Sequence, residues 1–457
     1  MSAKQQGLTP LELKAGSSIA LIYGIRMLGL FMILPVFSIF AENLPDTTPL
    51  LIGLALGIYG LTQGLLQIPF GMLSDKLGRK PVIAGGLVIF AIGSIVAAYA
   101  DTIYGVIAGR AIQGAGAIAA ALMALAADLS REEHRVKIMS LIGINIGVAF
   151  AVAMVLGPII NTWVGMKGIF LLTAILAVLA MFVLLIIVPK ANSLSFHRDA
   201  QLEPSQVSSI FFNTQLLRLD VGIFVLHAVL MAAFIAIPYM LQDAGLASLE
   251  HGWLYAPVFF ISIVLMVPFI ILAEAKRRMK HVFAGAILVF AISLFVLMYS
   301  DNSLAIIATA LVLFFTAFNL LEASLPSLVA KISPADRKGT AMGVYSSSQF
   351  LGAFAGGALG GWAYGQGGIT LLFLICVSLV IFWFLLAVTM KSPRYVSTYL
   401  LNVGALEQDQ VNHLIVQLVA IRGVAEASVM AEEGVAYLKV DLKALDLNSL
   451  LAYSKST

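Results

Sequence analysis

The sequence predicts an all-α integral membrane protein of twelve spans in two six-span halves, with a small α+β domain after the last span. Three observations point there. The 457 residues are 60% hydrophobic and only 11% charged, far more apolar than a soluble core requires. Apolar stretches of the length that crosses hydrocarbon, about 20 residues, recur along most of the chain. Basic residues collect in alternate connections between those stretches.

Taken in order, the expected spans are 17–41, 50–73, 82–100, 103–127, 138–162 and 168–188 in the first half. Those of the second half are 216–240, 251–273, 281–300, 303–329, 339–364 and 369–390. Continuous apolar runs such as Leu171 to Val188 satisfy their own backbone in lipid only as helices, whereas a barrel would show alternating segments of about 10 residues. The first run is too long for a signal-peptide core, lacks a small-residue cleavage site, and is expected to stay in the mature protein. The single cysteine, Cys376, falls inside the last span, which excludes an intrachain disulfide and a cysteine metal cluster.

The alternation of charge gives a topology. Lys76, Arg79 and Lys80, then Arg131, Arg135 and Lys137, then Lys190, Arg198 and Arg218 lie on one side, with Lys276, Arg277, Arg278, Lys280, Lys331, Arg337 and Lys338. The opposite loops hold only Lys167. The positive-inside rule therefore puts residues 1–16, the linker 191–215 and the C-terminal segment in the cytoplasm, with 17–190 and 216–390 as the halves. The net charge of +3 reflects these loops rather than a nucleic-acid surface. Ile68-Pro69-Phe70 through Asp75 and Arg79 aligns at constant offset with Val267-Pro268-Phe269 through Glu274 and Arg278, the mark of an internal repeat.

Residues 391–457 change to a soluble pattern. A strand is expected at 398–403, a helix at 408–419, strands near 426–430 and 435–440, and a second helix over 445–453. That order resembles the ferredoxin-like fold of metallochaperone modules, with the fourth strand expected to be missing or truncated. No Cys-x-x-Cys is present, which excludes metal binding by that route, and the ligand or partner of this domain is unknown.

Ionisable groups deep in a span are costly and usually functional. Arg26, Arg110, His227 and Glu322 fall in spans one, four, seven and ten, each roughly 10 Å or more from a membrane face. One such group on the first helix of every three-helix repeat is what a central polar cavity between the repeats requires. Glu322 is read as the only carboxyl far inside a span, able there to take and release a proton, and is the first candidate for coupling. Asn319, one turn away, is a candidate partner for the substrate or the neutral acid, and Gln113 shares the face of Arg110. The plainer alternative is that the arginines snorkel or bond carbonyls and that His227 is a packing residue. Gly53, Gly57, Gly60 and Gly64 in span two and Gly352, Gly356 and Gly360 in span eleven mark close helix approach, static or sliding.

After span two the chain reads Gly71-Met-Leu73-Ser-Asp75-Lys-Leu-Gly78-Arg79-Lys80. This is similar to the G-x-L-A-D-x-x-G-R-K signature of the major facilitator superfamily, with Ser74 as the departure. Arg110 to Ala117 resembles the family's R-x-x-Q-G-x-G-A pattern, whose arginine is linked to proton coupling. Gly147 and Gly157-Pro158 resemble the antiporter motif, whose glycine-proline pair bends its helix, although Asn161 and Thr162 stand where it has glycines. Over nearly the whole chain the sequence resembles the YajR group of proton-driven efflux transporters within that superfamily.

The resemblance implies a twelve-span major facilitator fold in the cell inner membrane and a conformational latch of Gly71, Asp75, Gly78, Arg79, Lys80 and Asp128. Arg79 is expected to reach Asp128. Asp75 is expected near Gly339-Thr340 when the cytoplasmic side is shut. The expected activity is proton-coupled multidrug efflux of small amphipathic molecules by alternating access. Its partners are the substrate, protons and the bilayer, with no cofactor, metal, nucleic acid or covalent chemistry. A symporter or facilitator of a metabolite, and a membrane sensor signalling through the C-terminal domain, are the alternatives.

Overall fold

The computed structural model describes residues 8–189, 210, 212–334, 338–391, 397–404, 408–431, 434–441 and 444–454. Most of the linker 191–215 lies outside them. Ten helices among the described residues are long and apolar enough to cross a membrane. Two of these cover 51 residues each, about 76 Å at 1.5 Å per residue and more than twice the thickness of the hydrocarbon. Each leaves helical geometry once, at Gly165 in the first and at Gly367 and Gly368 in the second, so each is two spans. The count of apolar segments is then twelve.

The first half comprises α1 (Pro10–Phe31), α2 (Leu34–Ala41), α3 (Pro49–Leu77), α4 (Arg79–Ala98), α5 (Ile103–Ala115), α6 (Ala119–Asp128) and α7 (Glu132–Phe182). The second comprises α8 (Thr214–Asp243), α9 (His251–Ala275), α10 (Met279–Met298), α11 (Leu304–Ile332) and α12 (Lys338–Val388). Helix α1 starts earlier than the apolar run because Thr9 and Glu12 close a capping box ahead of Pro10 at the first turn. The first span is interrupted at Met32 and Ile33, two residues before Pro35, and the fourth at Gly116 to Ile118. Pro69 and Pro268 occupy α3 and α9.

The halves meet along α3 and α12. A Cβ added to Gly57 would lie 2.9 Å from the Phe354 carbonyl oxygen, so the bare glycine is what lets the two backbones approach. On the face away from the basic loops, Ser38 Oγ donates to the Phe234 carbonyl at 3.1 Å and Tyr239 donates to the Ser38 carbonyl at 2.7 Å. At a second contact between the halves, Phe150 of α7 stands 5.4 Å from Phe259 of α9 and 6.0 Å from Phe318 of α11, between ring centroids.

The C-terminal domain is β1 (Ser397–Asn402), α13 (Gln408–Ala420), β2 (Val424–Met430), β3 (Val435–Val440) and α14 (Leu447–Leu451). The strands form an antiparallel sheet in the order β1-β3-β2, and these elements coincide with the strand and helix pattern of the sequence. Ala436, Leu438 and Val440 point into a small core with Leu418 and Leu450. Tyr437 and Lys439, on the other face of β3, are buried as well. The spanning helices contribute to that cover: Lys439 Nζ donates to the Lys331 carbonyl near the end of α11 at 3.1 Å, and Arg277 pairs with Asp441 through both guanidinium nitrogens at 2.9 and 3.1 Å.

Candidate functional site

The ionisable residues of the span interiors fall into two clusters, one in each half. In the first, Arg26 of α1 and Arg110 of α5 are each 1% exposed. Arg26 Nη2 donates to Tyr59 Oη and Gln63 Oε1, both at 2.7 Å, and to the Gly116 carbonyl at 3.3 Å. That carbonyl lies in the interruption of the fourth span, where it also accepts from the Ile118 amide at 2.9 Å. Arg110 donates to the carbonyls of Ala55 and Leu56, both at 3.2 Å, and to Gln113 Oε1 at 3.0 Å. Gln113 passes the chain of bonds to Ser94 at 2.7 Å. Tyr59 lies between the guanidinium carbons, 5.9 Å and 5.2 Å from its ring centre.

The second cluster joins three helices. Gln349 of α12 bonds Glu322 Oε1 of α11 at 3.1 Å and approaches His227 Nε2 of α8 at 2.9 Å. His227 and Glu322 are 3.9 Å apart, and His227 Nδ1 faces the Ile223 carbonyl at 3.3 Å. The Glu322 side chain is 37% exposed, while its Oε2 is buried and has no hydrogen-bond partner. It lies ten residues from the end of α11, about 15 Å along the axis. Asn319 is half-buried and makes no hydrogen bond among the described residues.

Gln349 was not foreseen; a lone amide in a span carries no charge signal, and only the packing of α8, α11 and α12 shows its place. Asp220 was missed too. It is 5% exposed on α8, with Oδ2 unbonded, so Glu322 is not the only carboxyl buried inside a spanning helix. The register of α8 on α12 runs Phe224 to Gly352 and Ala228 to Gly356, which sets Asp220 level with Ser348, beside Gln349.

At the basic face Arg79 joins Asp75, Ser74 and Asp128, with 2.7 Å to Ser74 Oγ and 2.9 Å from Nε to Asp128. Gly78 turns the chain at φ +94°, a conformation that side chains disfavour. Gly71 is buried, and Lys80 Nζ donates to the Val188 carbonyl at 2.6 Å. All of these contacts stay within the first half. Thr340, the expected neighbour of Asp75, is buried near the start of α12. Beside this group, Glu12 accepts from Arg131 at 3.0 Å and faces His134 at 3.0 Å, a cluster that the interior-span search had no reason to flag.

A Cβ added to Gly157 would run into the Met32 carbonyl oxygen and lie 3.1 Å from Pro35 Cγ, so the bare glycine lets α7 sit against the interruption of the first span. The backbone stays helical through Gly157 and Pro158, and the only departure within α7 is at Gly165. Among the described residues no three His, Cys, Asp or Glu side chains are placed to hold a metal ion.

The model of the Major Facilitator Superfamily matches residues 19–219 and 219–399. The inner membrane transport protein YajR of Escherichia coli K12 is 44% identical over 440 residues, 95% of this chain and 96% of that protein. The multidrug resistance protein MdtH of Aeromonas salmonicida is 24% identical over 75% of this chain and 86% of its own length. Among solved structures, a bacterial homologue of the human lysosomal transporter Spinster superposes with a TM-score of 0.66 at 13% identity, over 84% of this chain and 98% of that one.

Proposed function

The chain belongs to the major facilitator superfamily and is a multi-pass membrane transporter rather than an enzyme, and on that premise we propose that it is a proton-coupled exporter of small amphipathic molecules. The observation that carries the proposal is the Glu322, Gln349 and His227 cluster. A carboxyl about 15 Å from the helix end, partly exposed and bonded by a neutral amide, can exchange a proton with an entering substrate. The names of its relatives support the inner membrane as its site and drug-like compounds as its cargo. The asymmetry of basic loops supports cytoplasmic termini.

The contacts through Ser38, Tyr239 and Phe150 hold the halves together on the face away from the basic loops. Arg79 bonds Asp75, Ser74 and Asp128, all of the first half. This pattern fits a state open towards the cytoplasm. Rocking along α3 and α12 then closes the basic face, and Asp75, Arg79 and Asp128 serve as the latch of the alternate state. Gly157 and Pro158 let α7 sit close against the interruption of the first span. One proton crossing about 100 mV supplies about 2.3 kcal/mol, enough for a gradient of about 50-fold in a neutral substrate exchanged one for one. The β1-β3-β2 order with α13 crossing between β1 and β2 supports a ferredoxin-like reading of the C-terminal domain.

The test is proton movement in proteoliposomes with an internal pH dye, comparing the natural chain with Glu322→Gln. Substrate-evoked proton flux that disappears in the variant establishes coupled export through this acid. Undiminished flux in the variant overturns the assignment.

A further inference from the structure

The second cluster holds the carboxyl that the proposed coupling uses; the first holds charge with nothing to answer it. Arg26 and Arg110 are both 1% exposed, and every hydrogen bond either makes goes to a neutral acceptor: Tyr59, Gln63, Gln113 or a backbone carbonyl. The described side chains of Glu12, Glu42, Asp46, Asp75, Asp101 and Asp128 in this half all sit at helix ends or in loops, and none forms an ion pair with either arginine. Buried charges are ordinarily paired, because neutral dipoles replace lost water only in part. Arg26 is also left incomplete, for its Nε and Nη1 are both buried and have no hydrogen-bond partner.

The surroundings say what would complete it. Phe90 lies 5.4 Å from the Arg26 guanidinium carbon to its ring centre, and Tyr59 flanks it on α3. Phe350 of α12, from the other half, covers Tyr59 edge-on at 6.3 Å. Rocking along the seam of α3 and α12 draws Phe350 away from Tyr59 and opens the cluster from the space between the halves. An aromatic wall beside unanswered guanidinium donors suits a compact organic anion.

We propose that the Arg26 and Arg110 cluster binds a negatively charged group of the substrate, a carboxylate or sulfonate on an apolar body. The proposal names the class of cargo for the transporter reading above and rests on it, but not on Glu322 or on protons. Arg26 supplies the unsatisfied donors, Arg110 the second positive charge, and Tyr59 joins the two. A substrate anion answers both charges while the halves are closed around it.

The test is thermal unfolding of the purified full-length chain in detergent, at constant ionic strength, with benzoate or benzenesulfonate against benzyl alcohol and benzylammonium. Binding is read without transport, so the outcome is separate from that of the proton-flux assay. Both anions are expected to raise the midpoint by roughly 1–2 °C at tenfold over their Kd, with the neutral and cationic analogues inert. Arg26→Gln should lose the rise, and Arg26→Lys should keep it at a concentration at least about fivefold higher. An equal rise with benzylammonium, no rise with either anion, or an undiminished rise in Arg26→Gln overturns the proposal. If Arg26→Gln fails to fold, an unchanged dose curve in Arg26→Lys overturns it equally.

Discussion

Arg79 and Asp128 allow a worked prediction, because both side chains are nearly buried, 8% and 6% exposed, and 2.9 Å apart. Removing one member of a buried pair commonly costs about 3–5 kcal/mol, most of it the charge left behind. Asp128→Ala leaves Arg79 its bonds to Asp75 and Ser74, so the expected cost falls to about 2 kcal/mol. Arg79→Met removes the stranded charge itself. Adding it to Asp128→Ala should recover most of that loss, giving a coupling of about 1–2 kcal/mol. The assay is reversible unfolding in mixed micelles with increasing dodecyl sulfate, run on the natural chain, both single variants and the double. Additive costs within about 0.5 kcal/mol would refute the reasoning, since they would mean that Asp128 does not sense the guanidinium.

Four further outcomes are expected. Gly57→Leu drives a branched side chain into the Phe354 backbone, so it should cut flux by more than tenfold in proteoliposomes while leaving the chain folded by circular dichroism. Gln349→Ala should weaken proton-coupled flux without abolishing it, since Glu322 keeps His227 at 3.9 Å; flux equal to the natural chain would show the amide to be idle. In the C-terminal domain, bonds from Ser449 hold the Asp446 carboxyl below its ordinary value of 3.8. The folded value is depressed, so its contribution is complete above pH about 4 and is lost as pH falls further; the protection factor for hydrogen exchange at the Ser449 amide should fall only in that acid range. Arg277→Ala alone should leave the domain in place, because the pair with Asp441 is half exposed and surface pairs add at most about 1 kcal/mol. Arg277→Ala with Lys439→Ala should release it, read as faster exchange at Tyr437 and Leu438.

The spans were legible because hydrocarbon sets one length and one composition, and few soluble sequences imitate both. Their interruptions were harder. Met32 and Ile33 are as apolar as their neighbours, and only Pro35 downstream hints at a break. The start of α1 could have been read, since Thr9, Pro10 and Glu12 spell a capping box, but hydropathy hides a polar first turn. The deep arginines, His227 and Glu322 stood out as isolated charges. The amides and hydroxyl that connect them, Gln63, Gln349 and Tyr59, did not, because a neutral polar side chain gains meaning in lipid only from what it faces. Asp220 carries no such signal, since it lies close to the start of its span, and only the packing of α8 shows it to be buried.

The two reversals at Gly165 and at Gly367-Gly368 have a practical consequence for anyone handling this protein. Each joins a pair of spans with scarcely a residue to spare, and both lie on the side away from the basic loops. Neither connection leaves much for an antibody to grip or a protease to cut, or slack for an inserted tag. The folded mass outside the bilayer hangs on the other side. Affinity reagents, crystallisation partners and reporter fusions should therefore be directed to the C-terminal domain and the basic loops, where added bulk has somewhere to go.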